Sequence, residues 1–184
     1  MNFSKHCDLC ENEITSLEKG LTCKLTNKKP EFKNTCPEIK LDNKFVKKLE
    51  IANLELETIK KKKNTILFSF FFLIIVGFLL IYKSSAFAKM MLSPIYFWYY
   101  KVGLISVGVS NIIVACFKLR AFKGEFGTAR HKKNNIEEVL EKYGICYELK
   151  LDFKEKIHGI QEVIVKMNFK NWKKKQTETT YKIS

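Results

Sequence analysis

Eighteen consecutive residues, Thr65 to Tyr82, carry no charge: TILFSFFFLIIVGFLLIY. As a helix rising 1.5 Å per residue they span about 27 Å, enough for a bilayer core of roughly 30 Å with Lys63 and Lys83 snorkelling at the ends. A helix apolar on every side needs cover on every side, and the rest of a 184-residue chain is too short to supply it as a soluble core. A second uncharged run, Val102 to Phe117, follows Ile95-Tyr96-Phe97-Trp98-Tyr99-Tyr100 and Lys101. Clustered Trp and Tyr suit the membrane–water interface. The pattern predicts a second helix over 95–117, opened by Pro94 near its first turn. Lys101 would then sit one to two turns inside and snorkel outward; its sharper reading is an ion or substrate contact within the membrane. Gly103, Ser106 and Ser110 fall at i, i+3, i+7 with Asn111 beside them, which predicts a close contact with the first helix or with a second copy.

Flanking charge orients this hairpin. Lys60, Lys61, Lys62 and Lys63 precede the first run, and Lys118, Arg120, Lys123, Arg130, Lys132 and Lys133 follow the second. The connection from Lys83 to Ser93 holds only Lys83 and Lys89. The positive-inside rule therefore puts both termini in the cytoplasm and the short loop outside. The net charge of +14 is spread: +4 over residues 1–63, +3 over 64–117 and +7 over 118–184. That favours a lipid bilayer with an anionic surface as partner. Only Arg120 and Arg130 among 33 basic residues are Arg, the residue whose planar fork reads phosphates and bases, so no nucleic-acid partner is expected. Met1–Cys10 is polar and has no apolar stretch behind a basic start, so no cleaved leader is expected.

Four of the six cysteines lie in the first 36 residues: Cys7, Cys10, Cys23 and Cys36. The C-x2-C pair can place two thiolates on one metal, and the two later cysteines complete a tetrahedral shell of four, the usual closed structural zinc site. The segment is too small and polar to fold on a core alone, and metal binding supplies folding free energy. Disulfides would require an oxidising compartment, against the predicted topology. A thioredoxin-like pair lacks its βαβ surroundings. An iron–sulfur cluster uses the same ligands and stays open. His6, beside Cys7, is a bystander or a substitute ligand.

The stretches Cys7-Asp8-Leu9-Cys10, Lys19-Gly20-Leu21-Thr22-Cys23-Lys24-Leu25-Thr26-Asn27-Lys28-Lys29-Pro30-Glu31-Phe32 and Thr35-Cys36-Pro37 together resemble an N-terminal module of small, mostly uncharacterised bacterial membrane proteins: C-x-x-C, then G-x-x-C-x-L-T-x-x-K-P-x-F, then C-P. The match is limited to residues 7–37. It implies a bacterial inner-membrane protein with a metal knuckle, and it carries no activity.

The remaining segments read as soluble structure. Phe45, Leu49, Ala52, Leu56 and Ile59 repeat at 4-3-4-3 spacing within a helix over 42–63, a coiled-coil-like seam for a second copy or for the chain's own C-terminal domain. Asn134 to Tyr143 reads as a separate helix, with Asn135 as cap, Glu138 at the capping-box position and Gly144 as stop. Ile145 to Phe153, Val163 to Phe169 and Thr177 to Ile183 alternate as strands, with a turn at Ile157-His158-Gly159. The organisation expected is a Cys-rich zinc knuckle (1–41), a juxtamembrane helix (42–63), a two-helix transmembrane hairpin (64–117, helices 65–82 and 95–117) and a small C-terminal α+β domain (124–184). There is no Gly-rich phosphate loop, H-E-x-x-H or G-x-S-x-G. His131, His158, Cys116 and Cys146 stand singly, and Trp172 with Lys173-Lys174-Lys175 reads as a solvated or membrane-facing edge before a nucleic-acid contact. The function expected is a non-enzymatic, membrane-anchored interaction or scaffold protein that binds a protein partner or itself. The alternative is a small accessory subunit of a transport or channel assembly, resting on Lys101, Asn111 and the small-residue stripe.

Overall fold

The structure is a computed structural model that describes residues 3–91, 97–173 and 176–183. Its elements are α1 (Phe3–Leu9), the hairpin β1 (Glu13–Ser16) and β2 (Gly20–Cys23), two long helices α2 (Asn43–Met91) and α3 (Phe97–Lys142), and three strands β3 (Cys146–Ile157), β4 (Ile160–Lys170) and β5 (Gln176–Ile183). They form two compact units, Met1–Leu56 with Ala129–Ser184, and Glu57–Thr128.

Both long helices outrun the sequence expectation. The segment from Lys83 to Met91, expected as loop, is helical, as is everything from Lys118 to Lys142. Pro94 and Ile95, the expected start of the second apolar helix, lie outside the described residues. Asn135 is therefore inside α3 and caps nothing. No Gly or Pro falls between Thr128 and Lys142, and Ala129, Arg130, Lys132 and Lys133 are good helix formers, so the helix has no reason to restart. Glu138 instead pairs with Lys5 and Lys142. The stop at Gly144 is as expected: its φ of +64° is the left-handed value a C′ glycine takes. Ile145 N donates to Leu140 O at 3.1 Å and Gly144 N to Glu141 O at 3.0 Å, a Schellman closure whose apolar partners Leu140 and Ile145 both enter the core.

The first unit is built on the 42–63 seam. Phe45 and Leu49 are wholly buried, and Ala52 and Leu56 nearly so. They belong to the chain's own interior: Phe45 and Leu49 share one cluster with Val139 and Leu140 of α3 and with Val163, Val165, Met167 and Phe169 of β4. Each such side chain contributes about 1.5–3 kcal/mol on burial. This part of the seam is thus spent inside the molecule and is closed to a second copy. The sheet is an antiparallel meander, β3-β4-β5, in which odd-numbered residues face inward. Its first turn has φ of +50° at His158 and +85° at Gly159, the two positive values a two-residue hairpin of matching twist requires. Trp172 is half-buried, its ring 4.7 Å from that of Phe169 and 5.3 Å from that of Phe45, which gives the indole to the core rather than to the solvated or membrane-facing edge expected.

Strand β5 has few apolar residues to bury, and a carboxyl group compensates. Glu50 of α2 is 2% exposed and accepts hydrogen bonds from Thr177 Oγ1 (3.3 Å), Thr179 Oγ1 (3.2 Å) and Tyr181 Oη (2.8 Å). Burial, then the bond to Glu50, raises the Tyr181 hydroxyl above its usual range and keeps it a donor. A buried polar group is tolerated when so satisfied.

In the second unit each helix holds a window long and apolar enough to cross a membrane, with mean hydropathy 2.7 and 2.0 and only 6% and 11% of it buried. The two helices meet where neither has a side chain. A Cβ on Gly77 would lie 2.8 Å from Gly108 O and from Ile112 Cγ1, and one on Gly108 would lie 2.7 Å from Ile81 Cγ1 and 2.8 Å from Gly77 O. Gly77 facing 108 and 112, with 108 facing 77 and 81, makes the pair antiparallel. The crossing also sets levels. Lys63 and Lys123 are fourteen and fifteen residues to one side of it, about 21 and 22 Å. Lys83 and Lys101 are six and seven residues to the other, about 9 and 10 Å. The uncharged stretches of the two helices, 64–82 and 102–117, therefore coincide over about 22 Å, most of a bilayer core's thickness. Lys101 lies level with Lys83 at the end of that belt, not inside it, with its Nζ 5.3 Å over the Trp98 ring.

The Gly103/Ser106/Ser110 stripe does not make the contact expected with the first helix. All three residues are exposed, a Cβ on Gly103 would touch nothing within 4 Å, and Ser110 Oγ donates to Ser106 O at 2.9 Å within the helix. Gly108, on the other face, is the residue that permits approach. Gly108→Leu should accordingly destabilise the hairpin by about 1–3 kcal/mol through overpacking, while Gly103→Leu should be neutral. Thermal aggregation of the two full-length variants in detergent measures this; equal midpoints would remove the Gly–Gly crossing.

A candidate metal centre in the N-terminal module

Residues 5–48 contain little regular structure, and clamps from the two helices hold them. Leu9, at the end of α1, is 1% exposed and enters the main core. Glu11 Oε1 accepts from the Lys44 backbone N at 2.9 Å, capping the first turn of α2. Lys44 pairs with Glu13, Lys48 with Asp8 and Lys5 with Glu138. On this frame each thiol follows or begins a backbone turn: Cys10 N donates to Cys7 O (2.9 Å), Asn27 N to Cys23 O (2.8 Å) and Ile39 N to Cys36 O (3.4 Å). Asn27 takes a φ of +52° to close the second of these.

The result gathers Cys7, Cys10, Cys23 and Cys36 around one cavity of about 280 Å³, with His6 and Phe32 also in its wall. Cys116 and Cys146 are exposed and elsewhere. Cys10 is buried, and its Sγ accepts two backbone amides, Asn12 N and Lys40 N, both at 3.4 Å. Sulfur is a weak acceptor, so two amides converging on one sulfur hold it in place without filling its capacity to bind a metal. Burial first, then the neighbouring Cys10, Cys36 and Cys23, pushes the Cys7 thiol up to about 11. Burial likewise raises Cys36. Burial and the neighbouring sulfurs thus disfavour ionisation at Cys7 and Cys36, and a divalent cation would invert that logic.

Among the described residues no group of three or more His, Cys, Asp or Glu side chains is placed to hold a metal ion. The four sulfurs share a cavity without converging on a centre. His6 is buried and its Nδ1 lies 3.1 Å from Tyr143 Oη, with burial lowering its pKa ahead of the Lys142 charge. Tyr143 Oη also accepts from Cys36 N at 2.8 Å. The tyrosine thus ties the last cysteine and the histidine to the end of α3. In the sequence Tyr143 is only the last residue of the expected 134–143 helix, and this role is missed; the available signal was that a part-buried Tyr hydroxyl needs a polar partner.

Tyr143→Phe keeps the ring and deletes the acceptor, leaving the Cys36 amide unpaired. The expected cost is about 1–3 kcal/mol, concentrated in the 33–40 segment. Amide exchange of the full chain should show faster exchange at Cys36 with α2 unaffected; unchanged protection at Cys36 would refute the clamp. In comparison with known proteins, no family model, no curated protein and no solved structure matches this chain.

Proposed function

We propose that this is a membrane-anchored interaction protein whose cytoplasmic head is organised by a structural zinc ion on Cys7, Cys10, Cys23 and Cys36. The observation that carries the metal part is the Cys10 sulfur with two backbone amides aimed at it, in a cavity that three further cysteines line. Zinc in a closed site takes four thiolates at about 2.3 Å. The donor set fits that ion. It also fits the metal knuckle of the small bacterial membrane proteins that the N-terminal motif resembles, which makes a bacterial inner membrane the expected location. His6 is spoken for by Tyr143 through one ring nitrogen, so it supports the site from outside. The interaction part rests on apolar side chains the head leaves in the open: Leu17 at the tip of the β1–β2 hairpin and Leu25 are both exposed. The accessory-subunit reading loses one support, since Lys101 is level with Lys83 at the end of the apolar belt.

The full-length protein purified in detergent should carry one zinc per chain by elemental analysis. Serine at any one of the four cysteines should abolish binding, and serine at Cys116 or Cys146 should not. Iron at the same stoichiometry would keep the ligands and make the centre a redox group. No metal in protein prepared without chelators would end the proposal.

The anchoring reading has its own measurement. The protein should resist alkaline carbonate extraction, and reporters at Ser184 and at the N-terminus should read cytoplasmic while one inserted between residues 92 and 96 reads outside. Release by carbonate would mean that the exposed apolar faces of the hairpin are covered by protein instead.

A further inference from the structure

The Glu57–Thr128 unit is electrically lopsided in a way that its helix register makes specific. At one end of the apolar belt α2 presents Lys60, Lys61, Lys62 and Lys63, and α3 presents Lys118, Arg120 and Lys123; all seven are exposed. The Gly77–Gly108 crossing puts Lys63 and Lys123 within about one residue's rise of the same level, and Lys118 little more than one turn deeper, about 6–7 Å. The unit has only two acidic residues, Glu57 and Glu125, and Glu57 pairs with Lys60. The opposite end is different in kind. Lys83 Nζ lies 5.1 Å over the Tyr82 ring and Lys101 Nζ 5.3 Å over Trp98, so aromatic faces take up those charges.

We infer that the seven-cation collar binds anionic phospholipid headgroups, selecting them over zwitterionic lipid. The inference rests on the membrane reading above and assigns the anionic-lipid preference to these seven residues at one end of the belt. The chemistry is that of phosphate and ammonium or guanidinium at a surface. The placement argues for lipid over a soluble phosphate, because the cations ring the end of an apolar belt at the depth where headgroup phosphates lie. Two helices rather than one supply them, so a single headgroup can be held from both sides. Lys118, the deepest, has the length to reach out to that level. Arg120 contributes the planar fork that can hold two phosphate oxygens at once.

The full-length chain reconstituted into bilayers of phosphatidylcholine with a minority of phosphatidylglycerol should retain phosphatidylglycerol preferentially when extracted, counted by native mass spectrometry. Replacing Lys61, Lys62, Lys118 and Arg120 by Gln should lower that preference at least about fivefold. Gln at Lys83, Lys89 and Lys101 should leave it unchanged. Rising salt should weaken the preference of the unaltered protein, a readout that stands even where the collar variant fails to insert. Inorganic phosphate should not displace the lipid beyond its effect as a salt. Equal retention of both lipids, an unaltered preference in the collar variant or displacement by phosphate alone would each overturn the collar. A protein that integrates yet shows no preference loses only this inference, whereas one released by carbonate loses the membrane reading as well.

Discussion

Phe45 and Leu49 lie on α2 with no exposed surface, under β4 and against the last turns of α3. Every other element of that unit is arranged around their burial. The three-stranded sheet has a mainly apolar inner face and a mainly polar outer one, with Lys170–Glu148 and Lys166–Glu178 pairs across it. Such a sheet is stable only when something covers the inner face. α2 and α3 supply the cover, and Leu9 of α1 fills the same cluster from the N-terminal side. Glu50 shows how completely this packing decides the matter. A carboxyl at 2% exposure is costly, and it is retained because β5 offers three hydroxyls where an apolar strand would offer methyl groups.

The Glu57–Thr128 unit follows a different constraint. Few residues of its two apolar windows are fully buried, and the contact turns on two that have no side chain. Gly77 and Gly108 leave no room for a Cβ, and the neighbouring Ile81 and Ile112 close over them. One such contact is enough to fix which charges share a level, because two antiparallel helices have a single remaining degree of freedom along their length. The lysines at the two ends of the belt acquire their meaning from it.

The sequence announced elements better than their partners. Period-two alternation placed all three strands, since a half-buried sheet writes its facing directly into the chain. The 4-3-4-3 seam was equally plain, but a seam states only that an apolar stripe must be covered; intramolecular cover won because the sheet needed the same surface. The capping box at Asn135 and Glu138 misled for a similar reason. Cap residues mark a start only where the chain before them is not already helical, and nothing between Thr128 and Asn134 stops α3. In the hairpin the serine-rich stripe was more conspicuous than Gly108, though only the glycine lies against α2. Glu50 was invisible, because one acid within a lysine-rich helix reads as a solvated charge. Of the candidate centre, the four cysteines were legible by spacing and do share a cavity. Tyr143 and Glu11, which hold that module to the helices, were not, since each acts at a distance in sequence that no local pattern encodes.

Those clamps bear on what the proposed metal would add to the module. Among residues 10–41 the regular structure is two four-residue strands, and the apolar Ile14, Leu17 and Leu25 are exposed rather than packed together. Of the ion pairs that fasten the module, Lys48–Asp8 and Lys5–Glu138 are substantially exposed and pairs of that kind contribute little each, whereas Lys44–Glu13 is half-buried. Leu9 and the Tyr143 hydroxyl hold its two ends, Cys10 and Cys36 respectively, but Cys23 sits on a hairpin with only backbone turns to place it. Ordering the intervening residues costs roughly 1–2 kcal/mol apiece in backbone entropy. A dication on four thiolates contributes on the order of ten kcal/mol at neutral pH. That is the scale of term a core this small cannot generate, and it would act at the residues the protein's own contacts restrain least.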